Sequence, residues 1–193
     1  RADRAPQRRA QATMAAVFDA WRAEAHVAPA LADLELFGRG APLADCPDLA
    51  RLFAPGESLR RFAGRFCARF AHALVGEPLG QLPLRHSFDG VLAALLLARA
   101  ARAQLTLTAQ EPGEYDASGA VFSDAVRHDA VAAGEARARV TRRAADGSLV
   151  HSEMRLTAGS RHALDLTGEA LFVSRVERRL VTLRLHRSAE CPG

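Results

Sequence analysis

The sequence contains no lysine, no asparagine and no isoleucine, and all 26 of its basic residues are arginine. The codons of the missing residues are rich in A and T, so the bias indicates a GC-rich genome and accounts for much of the pI of 9.7. The net charge of +4 is modest, and acidic residues are interleaved with arginine along most of the chain. Because nucleic-acid-binding proteins concentrate positive charge on one face, we expect no nucleic-acid partner.

Long apolar runs and paired cysteines are also missing. The longest apolar run, Val91–Ala98, is too short to cross a bilayer, and the arginine-rich start has no apolar stretch typical of a signal peptide. The three cysteines, Cys46, Cys67 and Cys191, are widely spaced without a CxxC pair, which argues against a disulfide framework or a zinc knuckle. We expect Cys67 to be a buried apolar residue, and we expect a bacterial, cytoplasmic protein without a membrane partner.

Residues 1–78 have the spacing of amphipathic helices. Apolar side chains recur every three or four residues, prolines stand where helices can begin, and glycines or prolines stand where helices can end. Ser58 is the expected N-cap of the last helix because its hydroxyl can accept a backbone N–H. We predict four short helices, over residues 7–26, from Pro29 to Gly38, from Pro47 to Phe53 and from Ser58 to Val75.

The fourth helix carries two stripes of side chains. Its apolar stripe, which we expect to be buried, consists of Leu59, Phe62, Phe66, Phe70 and Leu74. Its arginine stripe consists of Arg61, Arg65 and Arg69 at i, i+4 and i+8, a spacing at which like charges destabilise a helix. Something acidic is therefore expected to face them. The stripe is expected to face carboxylates of neighbouring helices, namely Asp19, Glu24, Asp33 or Glu35, or simply water. The alternative is an anionic ligand or a nucleic-acid phosphate, which makes the three arginines candidate anion-binding residues.

Residues 79–187 have a different pattern, in which apolar and polar residues alternate over short runs that end at turn signals. The dipeptide Asp89-Gly90 is typical of a β-hairpin, while residues 91–98 fit either a strand or a helix because both faces are apolar. Gly134 is expected to end one strand, and a further break is expected between Val176 and Leu180. Eight or nine short strands with short loops indicate an antiparallel sandwich or barrel, followed by a tail over residues 188–193.

The run Leu156-Thr157-Ala158-Gly159-Ser160-Arg161-His162, leading into Leu164 and Leu166, resembles the corresponding part of a cupin jelly roll, and the resemblance extends over residues 80–187. The first metal motif of cupins, a glycine followed by His-x-His and a glutamate, has no counterpart in this sequence. The resemblance implies an α+β chain in which an N-terminal helical segment precedes an antiparallel jelly-roll, or cupin-like, β-barrel.

Three histidines share strand faces with apolar residues. Because side chains alternate between the two faces of a strand, His86, His128 and His162 are expected to point toward the barrel interior. Three imidazoles around one open position can hold a divalent metal such as Fe, Zn, Cu or Ni, so these residues are candidate metal ligands and a divalent metal is the candidate cofactor. Two alternatives stay open: a polar ligand pocket without metal, and purely structural histidines.

Other chemical signals are weaker. His151 and His186 fall among polar neighbours and are expected on the surface, while Tyr115 lies in a Gly/Asp/Ser-rich loop and is a candidate ligand-binding residue at a pocket mouth. The sequence has no GxSxG elbow, P-loop or HExxH motif. The leading hypothesis is a cupin-like barrel that binds a small molecule. A further version of this hypothesis adds metal-assisted catalysis in the barrel interior. The alternative is a non-enzymatic regulatory or protein-interaction module that uses the helices. A homodimer is compatible with either hypothesis.

Overall fold

A computed structural model describes residues 4–116 and 119–189 of the chain. The four predicted helices are confirmed, and a proline lies at the first or second position of each of the first three. No helix in this part of the chain is long and apolar enough to cross a membrane. The helices are α1 (Ala5–Arg22), α2 (Ala28–Gly38), α3 (Pro47–Leu52) and α4 (Ser58–Gly76), with a short 3-10 turn at Leu43–Asp45.

Two details of α4 differ from the prediction. The N-cap is Glu57, and no side chain caps the first turn, because Ser58 is already the first helical residue. Cys67 is exposed, since it lies outside the arc of α4 that carries Phe62, Phe66 and Phe70. The third cysteine, Cys191, lies outside the described residues.

An aromatic cluster holds α1 against α4. The indole ring of Trp21 is fully buried, is stacked with Phe18 at 5.6 Å between ring centroids, and meets the rings of Phe62, Phe66 and Phe70 edge-on at 5.1–6.5 Å. Edge-to-face pairs of this kind stabilise a core beyond the area that they bury. The predicted burial of the phenylalanine stripe is confirmed.

The strands form one antiparallel sheet, so the expected α+β architecture is confirmed. Hydrogen-bonded neighbours follow the order β1-β2-β3-β8-β5-β6, with β4 beside β8 and β7 beside β5, and this path is not closed. The strands are β1 (His86–Phe88), β2 (Leu92–Ala100), β3 (Ala103–Gln110), β4 (Gly113–Glu114), β5 (Ala125–Arg143), β6 (Leu149–Thr157), β7 (Arg161–Asp165) and β8 (Glu169–Ser188).

The hairpin at Asp89-Gly90 is present, and residues 92–100 are a strand rather than a helix. The first strand begins only at His86. The turn is not the type I′ form, because only Gly90 has a positive φ, of 93°. Instead the Asp89 carboxylate accepts hydrogen bonds from the backbone N–H groups of Val91 and Leu92, at 2.9 and 2.7 Å. These two side-chain hydrogen bonds stabilise the turn, which in the type I′ form would need a positive φ at both central residues.

The predicted strand breaks near Gly134 and residues 176–180 are wrong, because β5 and β8 are each continuous and pair with one another along most of their length. Gly134 has a φ of 97° and marks a bend with several register shifts.

The bend divides the sheet into a proximal half and a distal half. The proximal half contains β1, β2, β3 and β7 with residues 125–133 and 180–188, and the distal half contains β4 and β6 with residues 135–143 and 169–178.

The two faces of the proximal half have different neighbours. One face contributes Ala130, Leu183 and Leu185 to a core that it shares with all four helices. On the other face, Val131 and Leu180 cluster with residues of the distal half. The helices therefore cover one side of the proximal half, and the distal half folds over the other side.

Close backbone contacts fix α2 on the sheet. A Cβ at Gly38 would overlap the carbonyl oxygen of Ala100, so only glycine allows this approach. The Arg187 guanidinium lies over the Phe37 ring and donates from Nη1 to the carbonyl oxygens of Phe37 and Ala41, at 2.9 and 2.7 Å. Phe37 lies in the last turn of α2 and Ala41 lies three residues beyond its end, so Arg187 of β8 holds the C-terminal end of α2 against the sheet.

His128 lies on the helix side of the proximal half, which corrects the expectation that it points into the barrel. Its ring contacts the rings of Phe37 and Phe53, at 6.0 and 6.2 Å between centroids. Burial lowers the pKa of His128, and the nearby positive charge of Arg187 lowers it further, while Asp129 acts in the opposite direction. The folded protein therefore favours the neutral form of the His128 imidazole more strongly than the unfolded chain does.

The bend gives the first testable prediction. Gly134→Ala places a Cβ against the carbonyl oxygen of Arg179 at a left-handed φ, so it should reduce the free energy of unfolding by about 3 kcal/mol or more. Gly147→Ala is the matched control, because Gly147 has a φ of 84° and open space around it; it should cost only about 1–2 kcal/mol. Urea denaturation of both variants measures the difference, and equal losses would show that the bend does not require glycine.

His128 gives the second prediction. Because burial lowers its pKa, His128 binds a proton more weakly in the folded protein than in the unfolded chain. The contribution of His128 to the free energy of unfolding is therefore fully favourable above a pH of about 6.5 and is lost as the pH falls below that value. Urea denaturation between pH 8 and pH 5 should show a smaller pH dependence for His128→Gln than for the wild type. His72→Gln, which removes an exposed histidine of α4, is measured beside it as a substitution of the same type. A pH dependence of His128→Gln identical to that of the wild type would contradict this assignment.

Candidate functional site

A cavity of about 230 Å³ lies between the proximal and distal halves of the sheet. We call it the inner cavity. Apolar residues of the distal half, including Leu156 and Phe172, line one side of it. The polar groups that line it come mainly from the proximal half: Thr108, Arg127, Asp129, His162, Thr182 and Arg184.

The strand register explains why the charged groups lie together. Asp129 of β5 is paired with Arg184 of β8 on one side and with His162 of β7 on the other. Directly paired residues in an antiparallel ladder project from the same face, so the three side chains form one row. Arg127 lies two residues before Asp129 on the same face, and its own partner in the ladder is His186.

Asp129 is the centre of this row, and only 5% of its surface is exposed. Arg184 donates from Nε to Oδ1 at 2.9 Å and from Nη2 to Oδ2 at 3.4 Å. The Nε atom of Arg127 lies 3.1 Å from Oδ2 of the same carboxylate. One negative charge is thus shared by two guanidinium groups, and the row carries an excess of positive charge.

Two side chains in the row keep buried polar atoms without a hydrogen bond. Among the described residues, Nε and Nη2 of Arg127 and Nε2 of His162 have no hydrogen-bond partner; the contact from Arg127 Nε to Asp129 has the distance of an ion pair without the alignment of a hydrogen bond. Burial lowers the pKa of Arg127, against the opposing effect of Asp129. Buried polar atoms without partners cost free energy, so this arrangement is poor as a purely structural element.

The two histidines near the row are neutral at pH 7. Burial lowers the pKa of His162, and Arg127 lowers it further, while Asp129 raises it. Burial also lowers the pKa of His186, with further lowering from Arg127 and Arg184. His186 was expected on the surface because its neighbours on the strand are polar, but in this protein the polar face of the proximal half is the face that lines the cavity.

The structure does not bring the three predicted metal ligands together. His86 is exposed on β1, at the edge of the sheet, where its Nδ1 lies 2.9 Å from the carbonyl oxygen of Leu84. His128 lies on the helix side, and only His162 lines the inner cavity. The expectation of a common cavity for His86, His128 and His162 is therefore wrong. Apolar residues occur on the strand face that packs against the helices as well as on the face that lines the cavity, so apolar neighbours do not show which face a histidine is on.

Tyr115 and the arginine stripe are accounted for by contacts within the chain. The Tyr115 hydroxyl donates to the carbonyl oxygen of Glu111, and its ring packs against the apolar cluster of the distal half rather than lining the inner cavity. In the stripe, Arg69 pairs with Glu24. Arg61 lies 3.9 Å from Glu57, and Arg65 lies 3.4 Å from the His26 ring. Glu24 was one of the carboxylates expected opposite the stripe, but it lies in the turn between α1 and α2 rather than on a helix.

The inner cavity does not fit a divalent metal. Within residues 4–116 and 119–189, no three His, Cys, Asp or Glu side chains are grouped as metal ligands. Both oxygens of Asp129 already accept from Arg184, and a metal ion at this carboxylate would lie beside two positively charged guanidinium groups. Metal ligation by His162 would therefore need further donors that the row does not supply.

Comparisons with known proteins found similar solved structures but no related sequence. No family model matches the chain, and no curated protein matches it in sequence. Similar solved structures include a cupin-superfamily protein from Desulfitobacterium hafniense (15% identity, 53% of this chain and 82% of that one, TM-score 0.39). An RmlC-like cupin from Shewanella frigidimarina is similar at 15% identity, over 56% of this chain and 86% of that one, with a TM-score of 0.40.

A third similar structure is CapF with the inhibitor 3-isopropenyl-tropolone, at 15% identity and a TM-score of 0.45; the match covers 58% of this chain, which spans about a third (33%) of CapF. The three matches cover little more than half of this chain at TM-scores below 0.5, so no conclusion about fold family, ligand, metal or reaction follows from them.

The charge row gives the third prediction. Arg127→Gln removes a positive charge that lowers the pKa of both His162 and His186, so both pKa values should rise in the variant, as measured by NMR titration of the imidazole resonances. Arg137→Gln is the matched control, because Arg137 lies exposed on the same strand and pairs with Glu177 at the surface. Unchanged pKa values in Arg127→Gln would show that Arg127 does not act on these rings.

Proposed function

We propose that this protein is a cupin-like barrel that binds a small molecule in the inner cavity. The observation that carries the proposal is the contrast between the two faces of the proximal half. The helix side is filled by apolar side chains such as Ala130 and Leu183. The cavity side holds the Asp129–Arg184 ion pair and Arg127, whose Nε and Nη2 atoms have no hydrogen-bond partner. A stable core does not need buried charges, while binding sites commonly combine an apolar cavity with a few convergent polar groups.

The size of the cavity limits the ligand. At about 230 Å³ it is smaller than the roughly 300–1,000 Å³ typical of pockets for drug-sized molecules. One side offers apolar contacts from Leu156 and Phe172, and the other offers charged and hydrogen-bonding groups. A small molecule with one apolar side and one polar end matches this lining.

The proposal is binding without metal-assisted chemistry, because the donor set around Asp129 does not fit a divalent cation. The alternative, an interaction module that uses the helices, has less support, because Phe62, Phe66 and Phe70 are buried in the core and do not form a docking face. A bacterial cytoplasmic location and a homodimer stay predictions from the sequence.

A fragment screen tests the proposal. The amide resonances of the ¹⁵N-labelled protein are followed while small polar and apolar fragments are added, and binding should shift the resonances of residues around the inner cavity, such as Thr182 and Val131. Leu92→Trp places a large side chain among the cavity-lining residues and should weaken every cavity binder by about tenfold or more, since it removes space that the ligand needs.

The matched control is Leu149→Trp. Leu149 is 47% exposed on β6 and does not line the inner cavity, so the same substitution there should leave binding unchanged. If fragments bind equally well to wild type and Leu92→Trp, or if they shift only resonances of the helices, the inner cavity is not the binding site and the proposal is wrong.

A further inference from the structure

We infer that the ligand of the inner cavity is a small oxyanion, a carboxylate or phosphate compound whose anionic group pairs with Arg127. This inference rests on the proposed function and adds the chemical class of the ligand. It follows from the charges on the cavity lining, the state of the Asp129 carboxylate and the unused donors of Arg127.

The charges on the lining do not balance. The described residues that line the inner cavity include two guanidinium groups, Arg127 and Arg184, and one carboxylate, Asp129. The neighbouring imidazoles of His162 and His186 are neutral at pH 7. One positive charge is therefore left without a full counter-charge in a largely buried position, and a bound anion would supply it, whereas a cation would add to the imbalance.

Comparison with the Asp129–Arg184 ion pair shows that Arg127 has hydrogen-bond donors without a partner. Arg184 binds Asp129 side-on through Nε and Nη2, the forked geometry that suits a carboxylate. Arg127 makes only an unaligned contact to the same carboxylate, and its side chain is 13% exposed. Its unpaired atoms, Nε and Nη2, form the corresponding edge of the guanidinium, so Arg127 can bind a second carboxylate as Arg184 binds the first. Both atoms are covered in the structure, so binding requires the side chain to turn toward the cavity.

A second cavity makes the surroundings of Arg127 more positive. This cavity of about 360 Å³ shares Arg127, Leu171 and Phe172 with the inner cavity, and it adds Arg139. The described residues that line it include no aspartate or glutamate. Positive potential on both sides of Arg127 favours the entry of an anion over that of a cation or a neutral molecule.

The other arginine clusters are less suited than the inner cavity to bind an anion. Arg69 pairs with Glu24, and several surface arginines of the distal half pair with glutamates, as Arg137 does with Glu177 and Arg142 does with Glu169. These exposed pairs are screened by solvent. Arg161 also keeps a buried Nε without a hydrogen-bond partner, but it does not line the inner cavity. Among the described residues that line the inner cavity, Arg127 is the buried guanidinium with incomplete pairing.

Isothermal titration calorimetry with malonate, its neutral isostere malonamide and inorganic phosphate tests the inference. The wild type should bind malonate or phosphate, and it should bind malonamide at least about tenfold more weakly because that molecule carries no charge to pair with Arg127. Arg127→Gln should weaken binding of the anion by at least about tenfold, while the control Arg137→Gln should bind like the wild type. Binding of phosphate alone would still support an oxyanion and would identify the phosphate class.

A second measurement uses only the wild type, in case Arg127→Gln folds poorly. An anion bound beside His162 and His186 adds negative charge, so saturation with the anion should raise both histidine pKa values in an NMR titration, and malonamide should leave them unchanged.

Equal affinity for malonate and malonamide, or undiminished anion binding by a folded Arg127→Gln, would overturn the inference. Either result would leave the proposed function standing if the bound molecule occupies the inner cavity in the fragment experiment. Absence of binding by both malonate and phosphate would also overturn the inference, and the fragment screen then decides separately whether the cavity binds other molecules.

Discussion

The bend in the β5–β8 ladder at Gly134 determines which face of the sheet packs against the helices and which face lines the inner cavity. The two strands pair along most of their length, so a straight ladder would give an open sheet with one polar face toward solvent. The left-handed conformation of Gly134, pressed against the backbone of Arg178 and Arg179, turns the distal half over the proximal half. One face of the proximal half is then left for the helices, and the other becomes the wall of a cavity.

The two faces of the proximal half carry different chemistry because residues alternate along the same strands. Ala130 and Leu185 face the helices, and the aromatic rings of α2 and of the Trp21 cluster complete that core. Asp129 and Arg184 face the cavity, where their ion pair lowers the cost of burying both charges. Arg127 receives much less compensation from the same carboxylate. The structure thus keeps a buried positive charge that folding alone does not require.

Local sequence signals predicted the helices and most strand positions well, because prolines, glycines and a period of 3.6 or 2 act over a few residues. The bend was missed because Gly134, read locally, marks the end of a strand, whereas tertiary contacts make it a bulge within one. The site was only partly predicted. Strand parity identifies which residues share a face but not what covers that face. His162 lies on the face that lines the cavity, whereas His128, expected in the cavity, packs against Phe37 and Phe53, and His186, expected on the surface, is half-buried.

A crystal structure of the protein grown with malonate would show whether the inner cavity holds a small anion against Arg127. We expect density for one malonate between the two halves of the sheet, with a carboxylate on the guanidinium of Arg127 and close to His162, and with the Asp129–Arg184 pair intact. Malonate found only on the exposed arginines of α4, with the inner cavity holding water alone, would mean that Arg127 does not bind an anion there.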